Sequence, residues 1–287
     1  MLDATFREDK LMLKCLRTVL IGLTLSLAVI PANGADKPQR VLLIGQGPDG
    51  HPAATHEYNA GVRLLGKLLS RTENLQTIVV SADGEWADGP ELLDGADAAV
   101  VFVSQGAKWI HDDAKRLAAF QALAKRGSGL ACLHWGMGTR EAEFIPKWLE
   151  LFGGCHGGPD RRYKVVDTQL ELASPQHPVL RGVEAIPVHE EFYFALKFQQ
   201  PAEKITPLIR VPIEGQPHVV SWAWQRPDGG RSFGFTGLHF HENWMHESYR
   251  RLMTQGVLWT LGREIPSGGL TVDVTAADLE LPQASSN

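Results

Sequence analysis

Residues Gly129–Gly138, GLACLHWGMG, bring an apolar run to a histidine and then turn it through Gly136 and Gly138. A strand that meets a tight turn exposes the side chain at the bend, the place where acyl-transfer enzymes carry a serine or cysteine nucleophile. Here the bend carries His134, whose imidazole can exchange protons or bind a metal ion. Cys132 is no substitute, since two residues back along a strand it points the same way but lies deeper. A second imidazole, His56, follows the first apolar run in THEYNAG. The late segment LHFHENW supplies His239 and His241, neither with a carboxylate two places on. No Gly-x-Ser-x-Gly is present, and GQGPDG (Gly45–Gly50) lacks the spacing and the immediate helix that cradle a pyrophosphate, so no nucleotide cofactor is expected.

To act together these residues need a scaffold that brings distant segments to one place. From Arg40 to Leu133 short runs rich in Val, Leu, Ile and Ala (RVLLIG, TIVVSA, AAVVFV, GLACL) are interleaved with helical stretches over Tyr58–Ser70 and Asp112–Arg126. Continuous apolar strands separated by helices predict an α/β fold with a doubly wound parallel sheet. Ligands of such sheets bind beyond the carboxyl ends of the strands, so His134 at the end of the fourth strand and His56 after the first should face one crevice. A further helix is expected over Glu141–Phe152. Beyond about Gly154 the segments YKVVDTQLEL, VHEEFYFAL, ITPLIRV and HVVSWAWQRPDGGRSFGFTGLHF read as additional C-terminal β-strands, with a hairpin at Asp228-Gly229-Gly230. A last amphipathic helix is expected from about Ser248 to Leu261, followed by a loosely held tail over residues 267–287.

The chain of 287 residues is 44% hydrophobic with a net charge of −5, enough for a sizeable core and without the basic field that recruits nucleic acid. Its start is different in kind. Lys14 and Arg17 precede the apolar run Val19–Ile30, and small residues Ala32 and Gly34 follow, the pattern of a signal peptide over residues 1–34. That run is shorter than the roughly 17 residues that span a bilayer, so no permanent membrane span is expected and the mature chain is read as periplasmic or secreted. Export permits a disulfide, but Cys132 and Cys155 are expected to be two buried thiols. With no internal repeat or long linker, residues 35–266 read as one domain.

The order and spacing of THEYNAG, GLACLHWGMG, LFGGCHGG, SPQHPVLRGV, VHEEFYFAL and GRSFGFTGLHFHENW, closed by VLWTLG, resemble the ThuA-like (trehalose utilisation) family over about Arg40–Arg263. The resemblance implies the flavodoxin-like fold of the class I glutamine amidotransferase-like superfamily and a role in catabolism of trehalose or related glycosides and keto-glycosides. In that superfamily the bend residue is a cysteine with a late His-x-Glu. This chain has neither, which argues against glutaminase activity. The family's acidic-aromatic motif is carried by Glu190, Glu191 and Tyr193, and its glycine-histidine by Leu238-His239, where leucine replaces glycine. That departure leaves His239 and His241 as alternatives.

Two chemistries suit this set. Neutral imidazoles and a carboxylate can hold a divalent metal, zinc before others, with His56, His134, His239 and Glu191 as ligands, although no His-x-x-x-His spacing is present. Alternatively His134, His239 and Glu191 or Glu190 exchange protons beside a sugar without a metal. Adjacent strand residues face opposite ways, so at most one of Glu190 and Glu191 serves. Trp135 and Trp244 are expected to stack on a sugar face, with Gln105, Tyr193 and His156 as further substrate contacts. His156 lies in a glycine-flanked loop, whereas His51, His111, His218 and His246 have nothing in the sequence to single them out. Joined to what the resemblance implies, this set reads as a hydrolase, lyase or isomerase acting on a small carbohydrate, with a homo-oligomer left open. The rival reading is a non-catalytic carbohydrate-binding protein that has kept the fold.

Overall fold

The computed structural model describes residues 37–281, so the expected signal peptide lies outside the described residues. The chain alternates β1 (Gln39–Gly45), α1 (Tyr58–Leu69), β2 (Leu75–Ser81), α2 (Gly89–Asp94), β3 (Ala98–Val101), α3 (Gly106–His111), α4 (Ala114–Lys125) and β4 (Gly129–Leu133). β5 (Gly138–Thr139), α5 (Ile145–Phe152) and β6 (Gly154–Gly157) follow, then β7 (Arg162–Gln169), β8 (Glu171–Leu172), β9 (Pro187–Phe194) and β10 (Lys197–Phe198). The last elements are β11 (Ile205–Ile213), β12 (Gln216–Gln225), β13 (Arg231–Phe235), α6 (Glu247–Thr260) and α7 (Ala276–Leu279).

An eight-stranded sheet in the order β2-β1-β3-β4-β13-β12-β11-β8 forms the centre of this mixed α/β structure. Its first five strands are parallel and the remaining pairs antiparallel. Burial explains the sequence pattern: Val41–Ile44 of β1 and every residue of β3 and β4 are buried, as in a strand covered on both faces, while β2 at the edge has no fully buried residue. α1 buries Tyr58, Val62, Leu65 and Leu69 along one stripe. α4 starts where the Asp113 side chain accepts from the amides of Lys115 and Arg116.

One late connection matters most for function. The β12–β13 hairpin turns at Asp228-Gly229-Gly230, where Gly229 has φ +89° and the Asp228 carboxylate accepts from the Gly230 amide at 2.8 Å. It delivers β13 beside β4 in parallel, Ser232 opposite Leu130 through Phe235 opposite Leu133. The segments leaving β4 and β13, although a hundred residues apart, therefore emerge at the same sheet edge.

Several elements differ from the sequence reading. The bend after β4 leads into a 3-10 turn, His134–Met137, and then β5, and the helix expected from Glu141 begins only at Ile145, as α5, with Pro146 in its first turn. The expected strand over residues 163–172 is divided: β7 pairs with β9 in a separate two-stranded ribbon, and only β8 joins the main sheet. Residues 267–281, expected to be loose, are held down instead. Arg250 donates to the Val272 carbonyl at 2.7 Å and the Leu270 amide to Gln255 at 2.8 Å, Val272 is buried, and Lys67 pairs with Asp278. Cys132 and Cys155 are free and buried. Among the described residues no helix is long and apolar enough to cross a membrane.

Candidate metal centre and cavity

His134 leaves β4 with φ +45°, a left-handed conformation that a non-glycine residue adopts only when its surroundings hold it there. Gly136 permits the bend: a Cβ there would lie 2.4 Å from the Val101 carbonyl oxygen. The buried His134 ring donates from Nδ1 to the Thr236 carbonyl at 2.7 Å, just past β13, which fixes the tautomer and leaves Nε2 with its lone pair. Burial, reinforced by the neighbouring imidazoles His56 and His239, pushes its pKa well below the ordinary value.

His56 is set by a clamp between the β1–α1 loop and the segment after β13. Its amide donates to the His239 carbonyl at 3.0 Å, the His241 amide donates to the Ala54 carbonyl at 2.9 Å, and φ of His56 is +51°. Its Nδ1 lies 3.1 Å from an Asp49 carboxylate oxygen and 2.8 Å from the Tyr58 hydroxyl, which itself donates to Asp49 at 2.6 Å. Burial works against ionising Asp49, but hydrogen bonds from His56, Tyr58 and His51 outweigh it and hold the carboxyl far below the usual range. The Nδ1 proton of His56 therefore points at an anion, and its Nε2 presents a lone pair to the lone pair of His134 Nε2, 3.1 Å away.

β9 decides between the two glutamates. Glu191 and Tyr193 share a face, with the Glu191 carboxylate 3.9 Å from His134 Nε2 and 3.5 Å from His239 Nδ1. Burial raises its pKa to about 7. Glu190 is turned away, fully buried, and accepts from the amides of Leu238, His239 and Glu191 and from Asn243 Nδ2, at 2.8–3.1 Å. Burial pushes its carboxyl up to about 7 as well, against those donors. It is a fastener for the turn that carries His239. His241 points elsewhere, its Nε2 3.2 Å from the Leu279 carbonyl, so His239 is the member that joins the cluster. Among the described residues His239 Nδ1 is buried without a hydrogen-bond partner, and burial lowers its pKa to about 4.

His56, His134, Glu191 and His239 thus offer four ligand atoms within 4.8 Å of one another, a group that can hold a metal ion. Tetrahedral zinc with bonds near 2.05 Å separates its ligands by about 3.4 Å. Three of the six separations, 3.1, 3.5 and 3.9 Å, bracket that value, and all lie within 4.8 Å.

The cluster opens into a cavity of about 110 Å³ lined by His51, His56, Trp135, Arg140, His156, Arg161, Tyr163, Glu191 and Tyr193. Tyr193 is sandwiched between the rings of His134 and His156, with centroids at 4.5 and 3.9 Å, and its hydroxyl lies 3.0 Å from His134 Nε2. Trp135 meets His156 and Tyr193 edge-on. Two expected substrate contacts are absent from this lining. The 3-10 turn His241–Met245 puts Trp244 into the core, beside Gly61. Gln105 precedes α3 with φ +47°, and its buried Oε1 has no hydrogen-bond partner among the described residues. Asp49, His51, Arg140 and Arg161 were not singled out by the sequence. The ring of His51 stacks on His56 at 3.7 Å while its Nδ1 meets Asp49 at 2.7 Å, so a histidine that nothing in the sequence singles out has two partners in the site. The spacing Asp49-x-His51, five residues before His56, was the available signal.

A family model described as ThuA, trehalose utilisation, matches residues 41–260. A solved ThuA-like protein from Bacteroides uniformis ATCC 8492 is 14% identical with a TM-score of 0.62, the match covering 83% of this chain and 98% of that one. A ThuA-like protein from Parabacteroides merdae ATCC 43184 is 13% identical with a TM-score of 0.59, covering 86% and 100% respectively. A cytoplasmic protein from Salmonella typhimurium is 14% identical with a TM-score of 0.54, covering 77% and 98%. At these identities the likeness concerns the fold alone. A search of curated proteins finds no match to the chain. Since the family match runs from β1 through the end of α6, this chain belongs to the ThuA, or trehalose-utilisation, family.

Proposed function

We propose that this protein is an exported enzyme of carbohydrate catabolism, acting on trehalose or a related glycoside or keto-glycoside, in which His56, His134, His239 and Glu191 hold a divalent metal, zinc first. The carrying observation is the pair of Nε2 atoms 3.1 Å apart, each with its Nδ1 proton engaged elsewhere. Two lone pairs at that distance repel unless a cation or proton lies between them. The unpartnered Nδ1 of His239 and the Glu191 carboxylate complete the donor set expected for zinc. Bound there, a divalent ion supplies Lewis acidity toward a sugar carbonyl or hydroxyl.

The chain's own residues would do the rest. Asp49 and Tyr58 hold His56 in the ligating tautomer, and the Thr236 carbonyl does the same for His134. Tyr193 keeps its proton, because burial raises its pKa well above the ordinary value, and its hydroxyl becomes available to a substrate oxygen once His134 Nε2 is otherwise engaged. Trp135 offers a ring on which a sugar can stack. The cavity is smaller than the roughly 300 Å³ at the low end of ordinary ligand pockets, so it admits one end of a glycoside while the remainder stays outside. The 2-1-3-4 order of the first strands, continued by β13, supports the flavodoxin-like, class I glutamine amidotransferase-like reading. Histidine at the bend, with Cys132 fully buried, supports sugar chemistry over glutaminase chemistry. Residues 1–34 support periplasmic or secreted placement of residues 35–287.

The deciding experiment is elemental analysis of the full chain, as purified and after incubation with zinc, manganese or iron and desalting, beside His134→Ala. About one equivalent in the parent and a clear loss in the variant is the expected result. Absence of metal from both preparations overturns the metal assignment. Turnover of trehalose and its keto derivative, lost in the same variant, is the accompanying readout, and sugar binding without turnover would leave a carbohydrate-binding protein.

A further inference from the structure

We infer that the exposed end of the cavity is an oxyanion site, in which Arg140 and Arg161 take a carboxylate or phosphate carried by the sugar; the sugar part of this inference rests on the function proposed above. The two arginines are brought together by two short strands. β5 and β6 pair in parallel, Gly138 opposite His156 and Thr139 opposite Gly157, so Arg140 directly after β5 and Arg161 four residues after β6 leave from the same edge. Both line the cavity that contains His56 and Glu191.

Their partners distinguish them from the cations around them. Lys108 pairs with Glu141 at 2.9 Å, Arg162 with Glu214 at 2.6 Å, and Lys197 with Asp160 at 2.8 Å. Among the described residues neither Arg140 nor Arg161 has a carboxylate partner, and Arg161 donates only to the Gly158 carbonyl, at 3.2 Å. The only acidic side chain in the lining is Glu191, which belongs to the proposed metal ligands. Burial first, and then the charges of Arg161 and Lys197, lower the pKa of His156 to about 3, so this imidazole is neutral and the positive charge of the wall belongs to the arginines. The wall of this cavity therefore carries two guanidinium groups without a carboxylate partner among the described residues. Guanidinium forks match the planar geometry of carboxylate and the oxygens of phosphate.

Calorimetric titration of the full chain at constant ionic strength, with glucose, glucuronate, glucose 6-phosphate and inorganic phosphate, tests the site. Variants are Arg140→Gln, Arg161→Gln, the pair, and Arg162→Gln as an arginine outside the cavity, each checked for unchanged thermal unfolding. Charge-assisted hydrogen bonds are worth enough for anionic sugars to bind about tenfold or more tightly than glucose. The double variant should abolish that preference and leave glucose binding intact, and the order of glucuronate and glucose 6-phosphate shows which oxyanion is meant. Equal binding of charged and neutral sugars overturns the oxyanion site and leaves the sugar reading standing, as does an equal loss of preference in Arg162→Gln. Inorganic phosphate binding that needs both arginines, without binding of any sugar, upholds the oxyanion site and overturns the sugar reading. No binding of any probe overturns both.

Discussion

The Asp49 carboxylate and His56 Nδ1 lie 3.1 Å apart, and on the other side of the imidazole His56 Nε2 faces His134 Nε2 at the same distance. Asp49 thus sets which nitrogen of His56 carries the proton, and with it whether the cluster presents two lone pairs or one. Second-layer carboxylates of this kind orient the ligand ring and raise its basicity. Asp49→Asn should therefore keep the fold but weaken zinc binding about 10- to 100-fold. Competition against a chromophoric chelator measures this directly, and an unchanged affinity would remove Asp49 from the site.

Glu190 and Glu191, adjacent in sequence, should part company under mutation. Glu190 is fully buried among four N–H donors, so Glu190→Ala strands buried amides and should cost about 2–4 kcal/mol in urea unfolding. Glu191 faces the cluster and the cavity, so Glu191→Gln should leave unfolding nearly unchanged while lowering metal affinity. Equal stability losses in both variants would contradict the division of labour along β9.

Much of this site is legible in the sequence. His134 at a strand-end bend and His56 after β1 follow from the carboxyl-edge rule, because parallel strands carry their loops to one side. The resemblance supplied Glu190, Glu191 and a late histidine, with His239 and His241 left as alternatives, and period-two alternation limited the glutamates to one inward-facing member. The remainder depends on tertiary facts that leave no local trace. Arg140 and Arg161 reach one cavity because the two-residue strand β5 pairs with β6, and strands this short give no periodicity. Trp244 looked like a ligand-facing residue by proximity to His241, but a 3-10 turn rotates it into the core. The segment after Ser267 is polar and reads as a tail, yet it supplies backbone carbonyls to arginines of α6.

That last contact has a measurable consequence. Truncation after Gly268 would remove the carbonyls of Leu270 and Val272 that accept from Arg251 and Arg250, and would uncover Arg250, which is buried. Loss of these two charge-assisted hydrogen bonds, each worth about 1.5–3 kcal/mol, should bring a clear fall in Tm. A truncated protein that melts with the parent would show that this segment merely rests on the surface.

His177 offers a pH test remote from the cluster. Burial, and then the charge of Arg231, lower its pKa to about 4, and its Nδ1 accepts from the Val179 amide. Because the folded pKa lies below the unfolded value near 6.5, the unfolded chain takes up more protons in between. Its contribution to stability is thus complete above pH 6.5 and falls away as the pH drops toward 4. Glu190 and Glu191, both raised to about 7, act in the opposite sense over part of that range, so the comparison must be made between variants. His177→Asn keeps an acceptor for the turn and should flatten the acid limb by an amount on the order of 1 kcal/mol, after discounting for partial exposure. Parallel pH–stability curves for parent and variant would contradict the buried neutral state of His177.

Leu238 poses the sharpest conflict between family pattern and packing. The resemblance puts a glycine at this position, and the reason is visible in φ of +82°, a region in which leucine is strained by about 1–2 kcal/mol. Leucine nonetheless has its side chain buried, and its amide donates to Glu190 at 2.9 Å, which fixes the turn ahead of His239. Removing a buried leucine side chain costs about 2–5 kcal/mol, more than the strain it would relieve. Leu238→Gly should therefore destabilise the protein by roughly 1–3 kcal/mol although it restores the family's residue. Urea unfolding decides the matter: a variant more stable than the parent would mean that backbone strain at Leu238 outweighs its packing.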